Sequence, residues 1–198
     1  MKPSPVPANE ARRLKVLWQY EVLDTVPEEV FDDLVELASA VCDAPIALIS
    51  LVDESRQWFK AKVGLSTNET SRDVSFCAHA IMQPGLFIVP DATKDQRFAD
   101  NPLVIAEPRI RFYAGAPLVT PDGHALGTLC VLDQRPRELT EAQRKALQVL
   151  ARLAVTQLEL RRHAKELAQA REDTQFLKRE LEKARTHLED VERGKNRT

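Results

Sequence analysis

Between Arg137 and Arg193 the chain carries no proline and no glycine, although its 198 residues include 12 and 6 of them. All the prolines fall at or before Pro136, and every aromatic except Phe176 falls at or before Tyr113. A stretch this long without a helix breaker, half charged toward its end, admits one extended helix and little else. The core must therefore lie in the first part of the chain. This division predicts a disordered N-terminal arm over 1–8, a globular domain over 9–160 and a long helix over 140–195. Beyond about residue 155 that helix is expected to act as a coiled coil.

The helix marks its own start. In Thr140-Glu141-Ala142-Gln143, threonine caps the first turn while glutamine reaches back, the capping-box pattern. Leu147, Leu150, Leu153, Gln157, Leu160, Ala164 and Leu167 then recur at spacings of three and four, as a coiled-coil seam does. The apolar series resumes as Leu177, Leu181, Ala184, Leu188 and Val191, one residue out of register, which predicts a phase shift near 170–177. Such a helix, roughly 80 Å long at 1.5 Å per residue, has a stripe to bury. A homodimer through the C-terminal helix is the expected solution; a helix that folds back or frays is the alternative.

The N-terminal part reads as α+β. Residues 9–20 are expected to be helical, with Leu14, Leu17 and Trp18 on one side. A second helix is predicted from Pro27 to Val41, opened by a capping box at Thr25–Glu28, with Val30, Phe31, Leu34, Leu37, Ala38 and Val41 inward. Five strands are expected, at Ile46–Asp53, Arg56–Gly64, Leu86–Val89, Arg111–Val119 and Ala125–Leu132. Segregated helices and strands imply an antiparallel sheet covered by helices.

Charge and composition exclude several classes. The net charge of −2 gives no basic surface for nucleic acid. No apolar run reaches the roughly 18 residues of a membrane span. The opening MKPSPVPANEARR has no apolar core of a secretory signal, and three cysteines are an odd number for a disulfide framework. The expected location is the cytoplasm.

Five stretches in order, CDAPIALISLVDESRQWFKAKVGL (42–65), SRDVSFCAHAI (71–81), VPDATKDQRFADNPLV (89–104), RFYAGAPL (111–118) and GTLCVLDQRPRELT (127–140), resemble the GAF domain. With the N-terminal helices the resemblance covers about residues 10–160. It implies a GAF-like antiparallel sheet with helices on one face and a ligand pocket on the other, beneath the loops and short helix between 66 and 110. It also implies a cytoplasmic sensor whose terminal helix passes a signal to an output domain of the histidine-kinase or cyclic-dinucleotide class.

The candidate ligand-binding residues are Phe76, Cys77, His79, Asp91, Arg97, Phe98, Arg111, Tyr113 and Cys130. With Ser75 as N-cap, Cys77 falls in a first helical turn, where a thiol is acidified; the alternative is a small buried hydrophobe. Residues two apart on a helix diverge, so Cys77 and His79 do not form a metal pair, and Cys42 and Cys130 lack metal-site spacing. His79 is either a pocket hydrogen-bonder or a satisfied half-buried histidine. Asp91, Arg97 and Arg111 either frame a polar ligand or pin their loop. Alternation sets Arg111, Tyr113 and Gly115 on one face of their strand, opposite Phe112, Ala114 and Ala116. Gly115, Gly127 and Thr128 either open pocket space or permit close packing.

Bilin-binding members of the family attach the chromophore at a cysteine directly followed by histidine, and here Ala78 intervenes. The cyclic-nucleotide signature has no clear match either, so the cofactor is left unspecified. No catalytic motif is present. Beside the ligand sensor stand two alternatives: a redox sensor or enzyme using Cys77 with His79 or Arg72 nearby, and a ligand-free dimerisation scaffold. The lack of a second cysteine close to Cys77 in sequence weighs against a catalytic cycle.

Overall fold

The computed structural model describes the backbone of residues 4–195 and the side chains of residues 4–186. Its elements are α1 (Glu10–Gln19), α2 (Glu29–Cys42), β1 (Ile46–Val52), β2 (Arg56–Val63), β3 (Glu69–Ser71), a 3-10 turn (Arg72–Val74), α3 (Phe76–Ala80), β4 (Phe87–Val89), α4 (Pro102–Ile105), β5 (Phe112–Val119), β6 (Ala125–Asp133) and α5 (Glu141–Lys195). The strands form one six-stranded sheet in the order β3-β2-β1-β6-β5-β4, with every neighbouring pair antiparallel. The sixth strand is β3, whose Glu-Thr-Ser sequence carries no apolar alternation; it forms by pairing with Arg56–Trp58.

β1 reads as a continuous apolar run because both faces of the sheet are covered, and all seven of its residues are buried. On one face Ala47, Ile49 and Leu51 of β1 and Phe112, Ala114, Ala116 and Leu118 of β5 pack against the long helices. The second face carries Leu48, Tyr113, Cys130 and Leu132 beneath α3 and its flanking loops. The pairing of β1 with β2 slips by one residue between Ile49 and Ser50, which leaves Lys60 as the extra residue of a bulge. That shift lets Trp58 and Ala61 share the helix face. Lys60, buried, turns toward α2, where its Nζ meets Glu28 Oε1 at 2.6 Å and donates to Val26 O at 2.8 Å.

Several expectations for the helices change in detail. Trp18 is half exposed and donates its indole N–H to Asp53 rather than packing beside Leu14 and Leu17. α2 buries Phe31, Leu34, Val35, Ala38 and Cys42, a stripe rotated away from Val30, Leu37 and Val41, which are exposed. Its start has no side-chain cap, because Thr25 donates to Val22 O and Glu28 is drawn to Lys60. At α5 the capping box forms as read: Thr140 N–H donates to Gln143 Oε1 at 3.0 Å, and Gln143 N–H donates to Thr140 Oγ1 at 3.3 Å.

α5 buries Leu147, Leu150, Ala151, Ala154 and Leu158 against the sheet, whereas Leu153 and Leu160 are exposed. The single seam read from sequence is therefore two stripes. One follows the helix's own period onto the core, and the other, with Leu153, Leu160 and Leu167, faces outward. The chain divides into two compact units at Glu159/Leu160. In the second unit Leu167, Phe176, Leu177 and Leu181 are exposed, and Leu188 and Val191 lie outside the residues whose side chains are described.

A buried ion cluster joins α1 to the end of β1 and to the 3-10 turn after β3. Glu10 accepts from Arg13 Nη2 at 2.7 Å and from Arg72 Nη1 at 2.5 Å, and Arg13 also donates to Val52 O at 2.7 Å. Among the described residues no helix is long and apolar enough to cross a membrane.

Candidate functional site

The chain between β2 and β5 folds over the second face of the sheet. Ser75 caps the single turn of α3 by accepting from Ala78 N–H at 3.0 Å. Asn101, almost fully buried, caps α4 through Leu103 N–H and donates to Val74 O at 3.0 Å, which ties α4 to the 3-10 turn. Arg111 closes the far end by donating to Val104 O at 2.8 Å. These polar pins hold an apolar underside against the sheet.

Four aromatic rings form the centre of that underside. Phe76 stacks on Phe98 with centroids 4.1 Å apart and on Tyr113 at 5.3 Å; Phe87 lies 5.9 Å from Tyr113. His79, half exposed, meets Phe98 edge-on at 4.8 Å. The Arg97 guanidinium lies over Phe87 at 4.8 Å and grips Asp95 through two contacts of 2.9 and 2.5 Å. Asp91 closes a turn on Thr93 and pairs with Lys94. Asp91, Arg97 and Arg111 thus all make contacts within their own connecting segments.

Beneath the rings lies an island of polar groups in an otherwise apolar core. Ser50 on β1 pairs with Thr128 on β6, and Cys130 sits two residues along the same face of β6, beside Gly115 of β5. α3 lowers Cys77 onto them. Its Sγ stands 3.8 Å from Cys130 Sγ, and the Tyr113 hydroxyl donates to it at 3.3 Å while lying 3.4 Å from Thr128 Oγ1. Gly115 is small for a visible reason, since a Cβ there would come within 2.2 Å of the Tyr113 hydroxyl oxygen. At Gly127 a Cβ would strike the backbone of Ser50. Both glycines permit close packing.

Burial pushes the Cys77 thiol up, but hydrogen bonds from Cys130, Thr128 and Tyr113, with the Ser50 hydroxyl beside them, outweigh it and bring it down to about 7. α3 is only five residues long, so these side chains, rather than a helix dipole, acidify the thiol. Burial and then the neighbouring Cys77 hold Cys130 well above the ordinary thiol value. The Ser50 Oγ is buried and has no hydrogen-bond partner of normal geometry. Burial also lowers the His79 imidazole, helped by Arg97. Neither His79 nor Arg72 is hydrogen-bonded to Cys77 among the described residues; Arg72 is held by Glu10 and Asp53 O.

A cavity of about 60 Å³ lies against this island, lined by Leu48, Gln57, Phe59, Phe76, Cys77, Tyr113 and Leu132, with Leu65, Thr67, Leu103 and Pro108 toward its rim. Of the nine candidates, Phe76, Cys77 and Tyr113 line it, Cys130 touches Cys77 from below, and Phe98 backs Phe76. His79, Asp91, Arg97 and Arg111 do not line it. Ser50 escaped notice although one signal was present, a lone hydroxyl inside the apolar run Ile46–Val52. A larger hollow of about 480 Å³ beside Trp58 and Lys60 is an open surface groove whose lysine is already bonded.

The architecture is an antiparallel sheet with long helices on one face and a small cavity on the other. The chain belongs to the GAF domain family, whose model matches residues 26–158. It is 46% identical over 159 residues to a cyclic di-GMP phosphodiesterase of Pseudomonas aeruginosa; the match covers 80% of this chain and 27% of that protein. The fold is also that of the Acinetobacter phosphoenolpyruvate-protein phosphotransferase GAF domain (18% identity, TM-score 0.57, 78% of this chain and 95% of that one). The blue-light absorbing form of the Thermosynechococcus elongatus PixJ GAF domain is similar too, at 18% identity and TM-score 0.57 over 84% of this chain and 96% of that one.

Proposed function

We propose that the chain is the cytoplasmic input module of a bacterial signalling protein: it registers a small ligand at the cavity beneath α3 and passes its state through α5 in a homodimer. The observation that carries this reading is the cavity itself, lined by Phe76 and Cys77 of α3, Leu103 of α4 and Tyr113, with Cys130 against Cys77. At about 60 Å³ it has room for a few water-sized molecules and none for a nucleotide or a bilin. Its role is binding rather than turnover. A ligand shifts the equilibrium between two arrangements only by its difference in affinity for them.

The similarity to a cyclic di-GMP phosphodiesterase supports an output of the cyclic-dinucleotide class, carried by another part of a longer protein or by a partner. A histidine-kinase output is the alternative. The coupling route is short: β6 ends at Asp133, and Arg137 binds Asp133 Oδ2 at 2.8 Å and Cys42 O at 3.0 Å just before α5 begins. Native mass and absorption spectra of the purified protein, followed by a thermal-shift screen of small molecules, test the reading. A bound mass or a stabilising compound whose effect is lost in Phe76→Trp, which fills the cavity, is the expected result. A dimer that refuses every compound would leave a dimerisation scaffold.

A further inference from the structure

We infer that Cys77 and Cys130 form a reversible disulfide on reaction with a hydroperoxide, and that this dithiol is the input of the sensor proposed above. The inference rests on that reading for its consequence, but the chemistry stands on the geometry of the pair. The sulfurs are 3.8 Å apart in the reduced protein, one on α3 and one on β6, so side-chain rotation has less than 2 Å to close to the roughly 2.05 Å of a disulfide. Among the described residues no third histidine, cysteine, aspartate or glutamate joins them in a metal-binding group.

The rest of the island fits this role. Thr128 and Tyr113 place hydroxyls at Cys77, so a thiolate there is hydrogen-bonded although buried. Ser50, fully buried and without a hydrogen-bond partner of normal geometry, places its hydroxyl on the same face beside Cys77, within the group that a sulfenic acid there would meet. The cavity reaches Cys77 and is of a size for a two-oxygen molecule. It excludes bulkier thiol reagents and bulkier disulfides.

The step balances with a hydroperoxide as oxidant. The Cys77 thiolate attacks one oxygen, the O–O bond breaks, and an S–O bond forms; the leaving hydroxide takes the proton lost by Cys77 and departs as water. Cys130 then attacks the Cys77 sulfur, displacing hydroxide, which takes the Cys130 proton and leaves as a second water. Two thiols and one hydrogen peroxide give one disulfide and two waters, the sulfurs losing two electrons and the peroxide gaining them. The bond would staple α3 directly to β6, the strand that runs into α5.

The test is to treat the reduced full chain with hydrogen peroxide, block remaining thiols in denaturant and map tryptic peptides. The expected result is loss of two of the three thiols, a linked pair of peptides spanning 73–94 and 112–137, and full recovery with dithiothreitol. Cys42→Ser should oxidise like the parent, and Cys130→Ser should stop at a dimedone-reactive sulfenic acid on Cys77. Three free thiols, links through Cys42, or oxidised Cys77 with free Cys130 in the parent chain would overturn the inference. Hydrogen exchange over 133–160 separates the two ideas. A disulfide that leaves exchange unchanged upholds the redox pair and sinks its role as sensor input. A parent chain that keeps three free thiols in peroxide yet is stabilised by a small compound sinks the redox pair and keeps the sensor.

Discussion

Cys77 and Cys130 are 53 positions apart in sequence and 3.8 Å apart at sulfur, with the Tyr113 hydroxyl donating to the first at 3.3 Å. Both thiols are almost wholly buried, Cys77 beneath its own short helix and Cys130 within β6.

Native alkylation follows from that burial. Iodoacetamide should label Cys42, Cys77 and Cys130 on the order of 100-fold more slowly than in urea, because each needs a local opening of about 3 kcal/mol. Timed labelling followed by peptide mapping measures this. Rapid native labelling of Cys77 would mean that α3 is lifted from the sheet in solution.

What the sequence revealed and what it hid divide along a physical line. The strands at Ile46, Arg56, Phe112 and Ala125 and the box at Thr140 were legible because alternation and capping are local. The two faces of β5 also follow from alternation, with Tyr113 and Gly115 over the cavity side and Phe112 and Ala114 under the helices. β3 was not legible, since three polar residues form a strand only where Arg56–Trp58 offers an edge. Nor was the bulge at Lys60, which breaks the alternation of β2, or the approach of Cys130 to Cys77. That approach depends on where a 47-residue connection from Gly64 to Ile110 lays down one turn of helix, which no local pattern encodes.

Gly115→Ala tests the packing of the island. A Cβ at this position comes within 2.2 Å of the Tyr113 hydroxyl oxygen, so the ring must move and its hydrogen bond to Cys77 is lost. Overpacking of this kind costs about 1–3 kcal/mol. Urea unfolding should show the loss. A change below about 0.5 kcal/mol would mean that Tyr113 is free to swing, contrary to its packing against Phe76 and Phe87.

Glu10 gives a pH signature. Burial raises its carboxyl, but the hydrogen bonds and charges of Arg13 and Arg72 outweigh this and hold it below the ordinary value of 4.5. A lowered folded pKa contributes stability that is complete above the unfolded value and is lost as pH falls through the folded one. The chain should therefore lose stability below about pH 4.5. Glu10→Gln should already be destabilised at pH 7, by about 3 kcal/mol, because two buried guanidinium groups lose their counter-ion. Unfolding curves from pH 3 to 7 should converge at the acid end. Parallel curves for the parent and the variant across that range would show that the carboxylate does not stabilise this corner.

The outward stripe on α5 makes a prediction about assembly. Leu160 and Leu167 are 56% and 53% exposed, while the stripe through Ala154 and Leu158 is spent on the core. The parallel homodimer proposed above, through the C-terminal helix, would bury the outward stripe of both chains. Four leucines at about 1.5 kcal/mol each then supply on the order of 6 kcal/mol of association. Replacing both by glutamate should raise the dimer dissociation constant by about 10⁴-fold or more, since each 1.4 kcal/mol is a factor of ten. Light scattering should report a dimer for the parent chain and a monomer for the L160E/L167E double variant. Thermal melting of the sheet domain should be unchanged, because neither side chain belongs to its core. If the double variant remains a dimer, the self-association runs through another surface, of which the exposed Val30, Leu37 and Val41 on α2 are the first to replace.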